Sequence, residues 1–314
     1  MLSRPAKPIA WADSKHSEKP RSRSDDTRQC LHYPWSMARL CISAISYLNT
    51  APLLWDFEHG PAGANFDISY TVPSQCAASL QAATADIGII PAAAYATIPG
   101  LAVLPGVAIA SRRAVRSILL VSKVPREEIR SVAMDTSSLT SVALLRVLFA
   151  RWWDGARQFV SMAPNLEEML ATCDAGLLIG DPALRVERSN HFSYDLAKEW
   201  IALTGKPFVF AFWAVRQQAL TGASGETELA ATFQRSRDHG LEPAHLSRIA
   251  TGWAPRVGMS ESDVISYLTR NIYYDLDPAC LEGLQLFYRY AAECGALPPA
   301  PALQFLQSGK PAAV

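Results

Sequence analysis

The chain has 314 residues, of which 49% are hydrophobic and 18% charged, with 29 basic and 29 acidic side chains. This supplies ample core and argues against disorder, and a net charge of zero lacks the Lys/Arg surplus that a nucleic-acid or acidic-membrane partner demands. Six scattered Cys form no C-x-x-C pair and no H-x-x-x-H spacing stands beside them, so free thiols in a reducing compartment and no metal are expected.

Residues 1–36 carry Arg4, Lys7, Lys15, Lys19, Arg21, Arg23 and Arg28 among Pro5, Pro8 and Pro20, without the apolar run of a signal peptide or anchor. They read as a disordered tail, with the ordered chain starting near Met37. Residues 39–46 then form an apolar strand. Asn49 and Thr50 cap a helix that tolerates Pro52 in its first turn and runs through Leu53, Trp55 and Phe57. Residues 67–72 alternate as a second strand, Pro73 and Ser74 open a helix to Ala83, and residues 85–90 form a third strand ending at Pro91. Short β-α-β-α-β connections of this kind predict a mostly parallel sheet.

A second unit follows. Residues 116–122 and 131–135 read as strands, and residues 142–153 as a helix apolar nearly all round, hence interior. Residues 174–180 and 207–213 are further strands. From Glu226 the pattern is helical, through 226–249, 261–270 and 278–294. The fold class expected is α/β, two-lobed, with a ligand cleft between the lobes. Residues 37–115 plus 214–310 form lobe I and 116–213 lobe II, with crossings near 113–118 and 208–216.

Four loops follow strands, where open α/β sheets place ligands. They are residues 46–50, 113–117, 135–141 and 179–184. The third places five hydroxyl side chains in seven positions before an apolar helix. Unpaired first-turn N–H groups and those hydroxyls together make a cradle for a carboxylate or phosphate, although one hydroxyl would serve as an ordinary cap. Asn49 is equally open between cap and ligand group, since its amide both donates and accepts. Asp181 reads as a turn residue before Pro182, and Arg116 as a weak partner for a carboxylate. No G-x-x-x-x-G-K-[ST], G-x-G-x-x-G or G-x-S-x-G is present, so nucleotide hydrolysis, dinucleotide binding and a nucleophile elbow lack support. None of the four loops holds a His or Glu, the usual general bases.

In this order the loops resemble the MqnA/MqnD family of menaquinone biosynthesis. The resemblance is carried by residues 45–53 (ISYLNTAPL), 115–117 (VRS), 136–142 (TSSLTSV), 178–184 (LIGDPAL) and 204–213 (TGKPFVFAFW). It implies a fold like type II periplasmic binding proteins, kept in the cytoplasm as an enzyme. The S-Y-L-N opening points to the branch that dehydrates chorismate to 3-[(1-carboxyvinyl)oxy]benzoate, a carbon–oxygen lyase without metal or organic cofactor. It further implies Asn49 and Ser117 as catalytic groups and Ser46, Tyr47, Thr50, Arg116, Ser138, Thr140, Ser141 and Asp181 as substrate-binding groups. The partner is then a small dicarboxylate, with no nucleic acid and no membrane, and a homodimer stays open. A non-catalytic ligand-binding protein of the same fold and the sister naphthoate-forming activity are the alternatives. The chain departs from the family's common residues at Leu139 (commonly Arg), Ala94 (Glu) and Arg113 (Gly).

Overall fold

The computed structural model describes residues 39–154, 157–187, 190–220 and 223–306. The tail assigned to residues 1–36 lies outside them. Among the described residues ten strands succeed one another: β1 (Leu40–Ile45), β2 (Phe66–Thr71), β3 (Ile87–Pro91), β4 (Leu101–Ser111), β5 (Ile118–Ser122), β6 (Ser131–Asp135), β7 (Gln158–Met162), β8 (Ala175–Ile179), β9 (Phe192–Asp195) and β10 (Phe208–Arg216). They form two five-stranded sheets, ordered β2-β1-β3-β10-β4 and β7-β6-β8-β5-β9.

The two sheets share one plan. In the first, β1 pairs parallel with β2 and β3, and β10 lies antiparallel between β3 and β4. In the second, β6 pairs parallel with β7 and β8, and β5 lies antiparallel between β8 and β9. Both sheets are therefore mixed, not mostly parallel. The antiparallel member of each is the strand that follows a crossing between the sheets.

Three differences from the sequence reading have physical causes. Pro105-Gly106 reads as a turn, and it hid β4. In the structure this dipeptide sits where the β10–β4 register slips between Ala108 and Val103, with Gly106 at φ +78°. A proline gives no N–H to a ladder, and a bulge is where a strand can hold one. Second, the division at 213/214 cuts β10, all of which lies in the first sheet. The chain returns earlier, through the helix Leu196–Thr204, whose end is closed by Gly205 in the left-handed region at φ +67°. The run 208–213 is apolar throughout, so its pattern does not say which sheet receives it. Third, the apolar helix runs as Thr140–Leu148 and then widens to a π turn, Phe149–Trp153, which leaves Trp152 45% exposed.

Strand β5 shows how the second sheet is covered. Ile118 and Leu120 join the main core, and the alternate residues Leu119 and Val121 join a smaller cluster with Met169, Leu170 and Cys173. Apolar residues on both faces of one strand mean that both are covered. The cysteines among the described residues, Cys41, Cys76, Cys173, Cys280 and Cys294, are free thiols. Among the described residues no helix is long and apolar enough to cross a membrane.

Candidate active site

The C-terminal ends of β1, β3, β6 and β8 converge on one hollow. Its walls are mostly apolar: Ile45, Ile109, Ile118, Ile179 and Phe210, with Pro73 and Pro91. Its polar lining is Tyr47, Asn49, Ser138, Thr140 and Ser141, and among the described residues none that lines it is charged.

The 3-10 helix Leu48–Leu54, which follows β1, brings Asn49 to the hollow. The Asn49 backbone is pinned from the C-terminal segment, where the buried Tyr274 hydroxyl donates to its carbonyl at 3.0 Å. Its side-chain Oδ1 is buried and meets no hydrogen-bond partner among the described residues. Asn49 therefore caps nothing. Thr50, expected beside it as a cap or a ligand group, is buried and donates to the carbonyls of Ile45 and Tyr47, both at 2.6 Å. That bond satisfies strand-end carbonyls and turns the hydroxyl away from the hollow's lining.

On the opposite side, the loop after β6 starts the helix Thr140–Leu148. The Ser138 hydroxyl accepts from Ser141 N–H at 3.3 Å, as a cap does. Thr140 ties this helix to the first sheet: it donates to Phe210 O at 3.0 Å and accepts from Ala93 N–H at 3.1 Å. Leu139 also lines the hollow and keeps 39% of its surface exposed, an apolar group where the family commonly has Arg. Arg112, Arg113 and Arg116 are absent from the lining. Arg112 instead pairs with Asp277 and stacks over the Tyr273 ring at 4.0 Å.

The remaining expected residues lie around the hollow without lining it. Ser46 donates to Thr71 O at 3.3 Å. Arg116 holds a left-handed backbone, φ +66°, and its N–H donates to Asp195 Oδ2 at 2.6 Å. Asp195 also takes the N–H groups of Val115 and Lys198, so one carboxylate joins the first crossing to the helix of the return. Ser117 is fully buried and accepts from the Tyr267 hydroxyl at 2.8 Å. Asp181, after β8, accepts from Leu48 N–H at 3.0 Å and so joins the second sheet's loop to the first sheet's.

Tyr47 packs its ring against Gly180. A Cβ there would lie 2.5 Å from the ring, and the glycine sits at φ +62°. Gly180→Ala therefore meets both a clash and a left-handed backbone. We expect a stability loss of about 2 kcal/mol or more by denaturant unfolding; a neutral variant contradicts this packing.

Sequence reasoning passed over one group of chemical weight, Asp135. It is 1% exposed, and Ser137 N–H and Oγ donate to its Oδ1 at 2.8 and 2.6 Å. Burial pushes its carboxyl above the usual range, more than the Ser137 hydrogen bonds lower it, and burial does the same to Asp181, where Leu48 N–H and then Arg185 and Arg256 oppose it. A carboxyl raised in the folded state holds its proton better folded than unfolded. Its contribution is present at low pH and declines as pH rises above about 4. Asp135→Asn keeps an acceptor for Ser137 and removes that decline, so the variant should gain stability relative to the parent as pH rises above about 4 in paired urea unfolding curves. Parallel curves contradict a raised carboxyl.

Two sheets of one plan, two crossings and a hollow at the strand ends define a periplasmic-binding-protein-like fold. Similar solved structures include protein AF1704 from Archaeoglobus fulgidus (TM-score 0.64, 15% identity, 82% of this chain and 98% of that one). Another is the periplasmic aliphatic sulphonate binding protein SsuA from Escherichia coli (TM-score 0.58, 17% identity, 83% and 94%). A family model described as menaquinone biosynthesis matches residues 40–293, and the chain belongs to that family. A relative in Thermus thermophilus, named chorismate dehydratase, is 29% identical over 273 residues, 81% of this chain and 94% of that protein.

Proposed function

We propose that the protein is a cytoplasmic chorismate dehydratase, a carbon–oxygen lyase that removes water from chorismate to give 3-[(1-carboxyvinyl)oxy]benzoate. The observation that carries this reading is the pairing, across one apolar hollow, of Asn49 with the Ser138–Ser141 helix start. The relative from Thermus thermophilus supports it.

The ring of the substrate lies between the apolar walls, with Leu139 packed on its open face. One carboxylate sits at the helix start, held by hydroxyls and first-turn N–H groups rather than by a fixed cation. Asn49 holds the ring hydroxyl. That hydroxyl leaves with its bonding electrons, the proton on the neighbouring ring carbon is removed, and the two depart as water. The ring becomes aromatic, so the step is strongly driven and needs mainly orientation. The substrate's own side-chain carboxylate takes the ring proton and passes it to the departing hydroxide, which leaves as water; this suits loops that contain no His or Glu.

Incubation of the purified protein with chorismate, followed by mass spectrometry, tests the proposal. Loss of one water at catalytic protein concentration is the result expected. Tight binding without turnover, or inertness, contradicts it.

A further inference from the structure

The 3-10 helix that carries Asn49 has no cap of its own. Its first N–H belongs to Leu48, and the side chain of Tyr47, the residue before it, makes no capping bond. The first N–H groups of a helix have no partner within it, so this one needs an acceptor from elsewhere. Asp181 supplies it from the second sheet's loop, 133 residues further along the chain, through Oδ1 at 3.0 Å. A carboxylate suits that place as an acceptor and as a negative charge at the positive end of a helix. Two further contacts accompany it. The Tyr47 ring lies on Gly180, the neighbour of Asp181. Arg185, just past the helix Gly180–Leu184, donates to Arg256 O in the helix Pro243–Val257, which packs against the helix of Asn49. Asn49 is thereby held from both sides. Asp181 holds the N–H just before it, and the Tyr274 hydroxyl holds its own carbonyl. Its side-chain Oδ1 makes no bond among the described residues, so the backbone decides where that oxygen stands in the cleft.

We infer that Asp181 is a positioning residue for Asn49: by accepting from Leu48 N–H between the two sheets, it sets where the Asn49 amide meets the substrate's ring hydroxyl. The amide reaches its working place when the loop after β8 is seated on the loop after β1. Asp181 acts through Asn49 and not on the substrate. The inference rests on the chorismate reading.

The measurement is steady-state dehydration of chorismate by Asp181→Ala and Asp181→Asn, each made in the parent and in the Asn49→Ala background. Misplacing one group at the reacting centre should lower kcat about ten- to a hundredfold in Asp181→Ala and leave KM nearly unchanged. Asp181→Asn, which keeps an acceptor oxygen, should return most of the rate. In the Asn49→Ala background, Asp181→Ala should cost nothing further, because the group it places is gone. Full rate in Asp181→Ala, a rise in KM alone, an equal loss in both backgrounds, an Asn variant as slow as the Ala variant, or early thermal unfolding of Asp181→Ala overturns the inference and leaves the dehydratase reading intact. Absence of turnover in the parent protein overturns both.

Discussion

Asn49→Ala should lower kcat/KM for chorismate by about a hundredfold or more, the scale of losing one preorganised hydrogen-bonding group at a reacting centre. It should leave the thermal unfolding of the free protein almost unmoved. The two halves of this expectation come from one observation. Asn49 Oδ1 has no partner among the described residues, so truncation removes no side-chain bond from the fold that this oxygen makes. What positions Asn49 is its backbone, held by Tyr274, and that contact survives the substitution. A variant that keeps full activity would show that the unpaired amide oxygen is incidental. A variant that unfolds early would show that Asn49 is scaffold.

Ser117→Ala has a different profile. The Tyr267 hydroxyl is buried and donates to Ser117 Oγ. Removing its acceptor leaves a buried donor unpaired, a cost of about 1–3 kcal/mol. Tyr267→Phe added to Ser117→Ala removes the orphaned donor and should recover most of that stability. Turnover should not follow. Tyr267 supplies its own proton to this bond, so the Ser117 proton remains available for use elsewhere. Ser117 also adjoins the lining residue Ile118, and its carbonyl accepts from the lining residue Gly180 at 2.8 Å. Chemical denaturation and steady-state rates on the two single variants and the double variant form the cycle. Recovery of both stability and turnover in the double variant makes Ser117 a structural residue only.

How much of this was legible beforehand differs by element. The hydroxyl-rich stretch at 136–141 stood out because one cap needs one hydroxyl and five are present. The structure puts Ser138, Thr140 and Ser141 in the lining, along with Tyr47 and Asn49. The short strands β1, β3, β6 and β8 were readable from apolar runs bounded by Pro, Gly and Asp. Strand β4 was not, because a bulge made of Pro105-Gly106 has the sequence of a turn. The sheet that receives β10 was not readable either, since a wholly apolar strand suits any covered position. Asp135 had a usable signal: a carboxylate closing an apolar strand beside hydroxyls is either solvated or built in. Tyr267 and Tyr274 had none. They act on Ser117 and Asn49 across 150 and 225 residues of chain, and local pattern carries no information at that distance.

Leu139 sharpens the chemistry. A doubly acidic ligand in a hollow whose described lining residues carry no charge is held by neutral donors, and such donors act best where water is excluded. The apolar walls and the half-open Leu139 serve that purpose.

The most direct measurement is a crystal structure of the protein soaked with the dehydration product. The account predicts the ring between Ile45, Ile118, Ile179 and Phe210, with one carboxylate within hydrogen-bonding distance of the Ser138–Ser141 turn. A product molecule lodged elsewhere, or bound with both carboxylates on arginines outside the hollow, would contradict it.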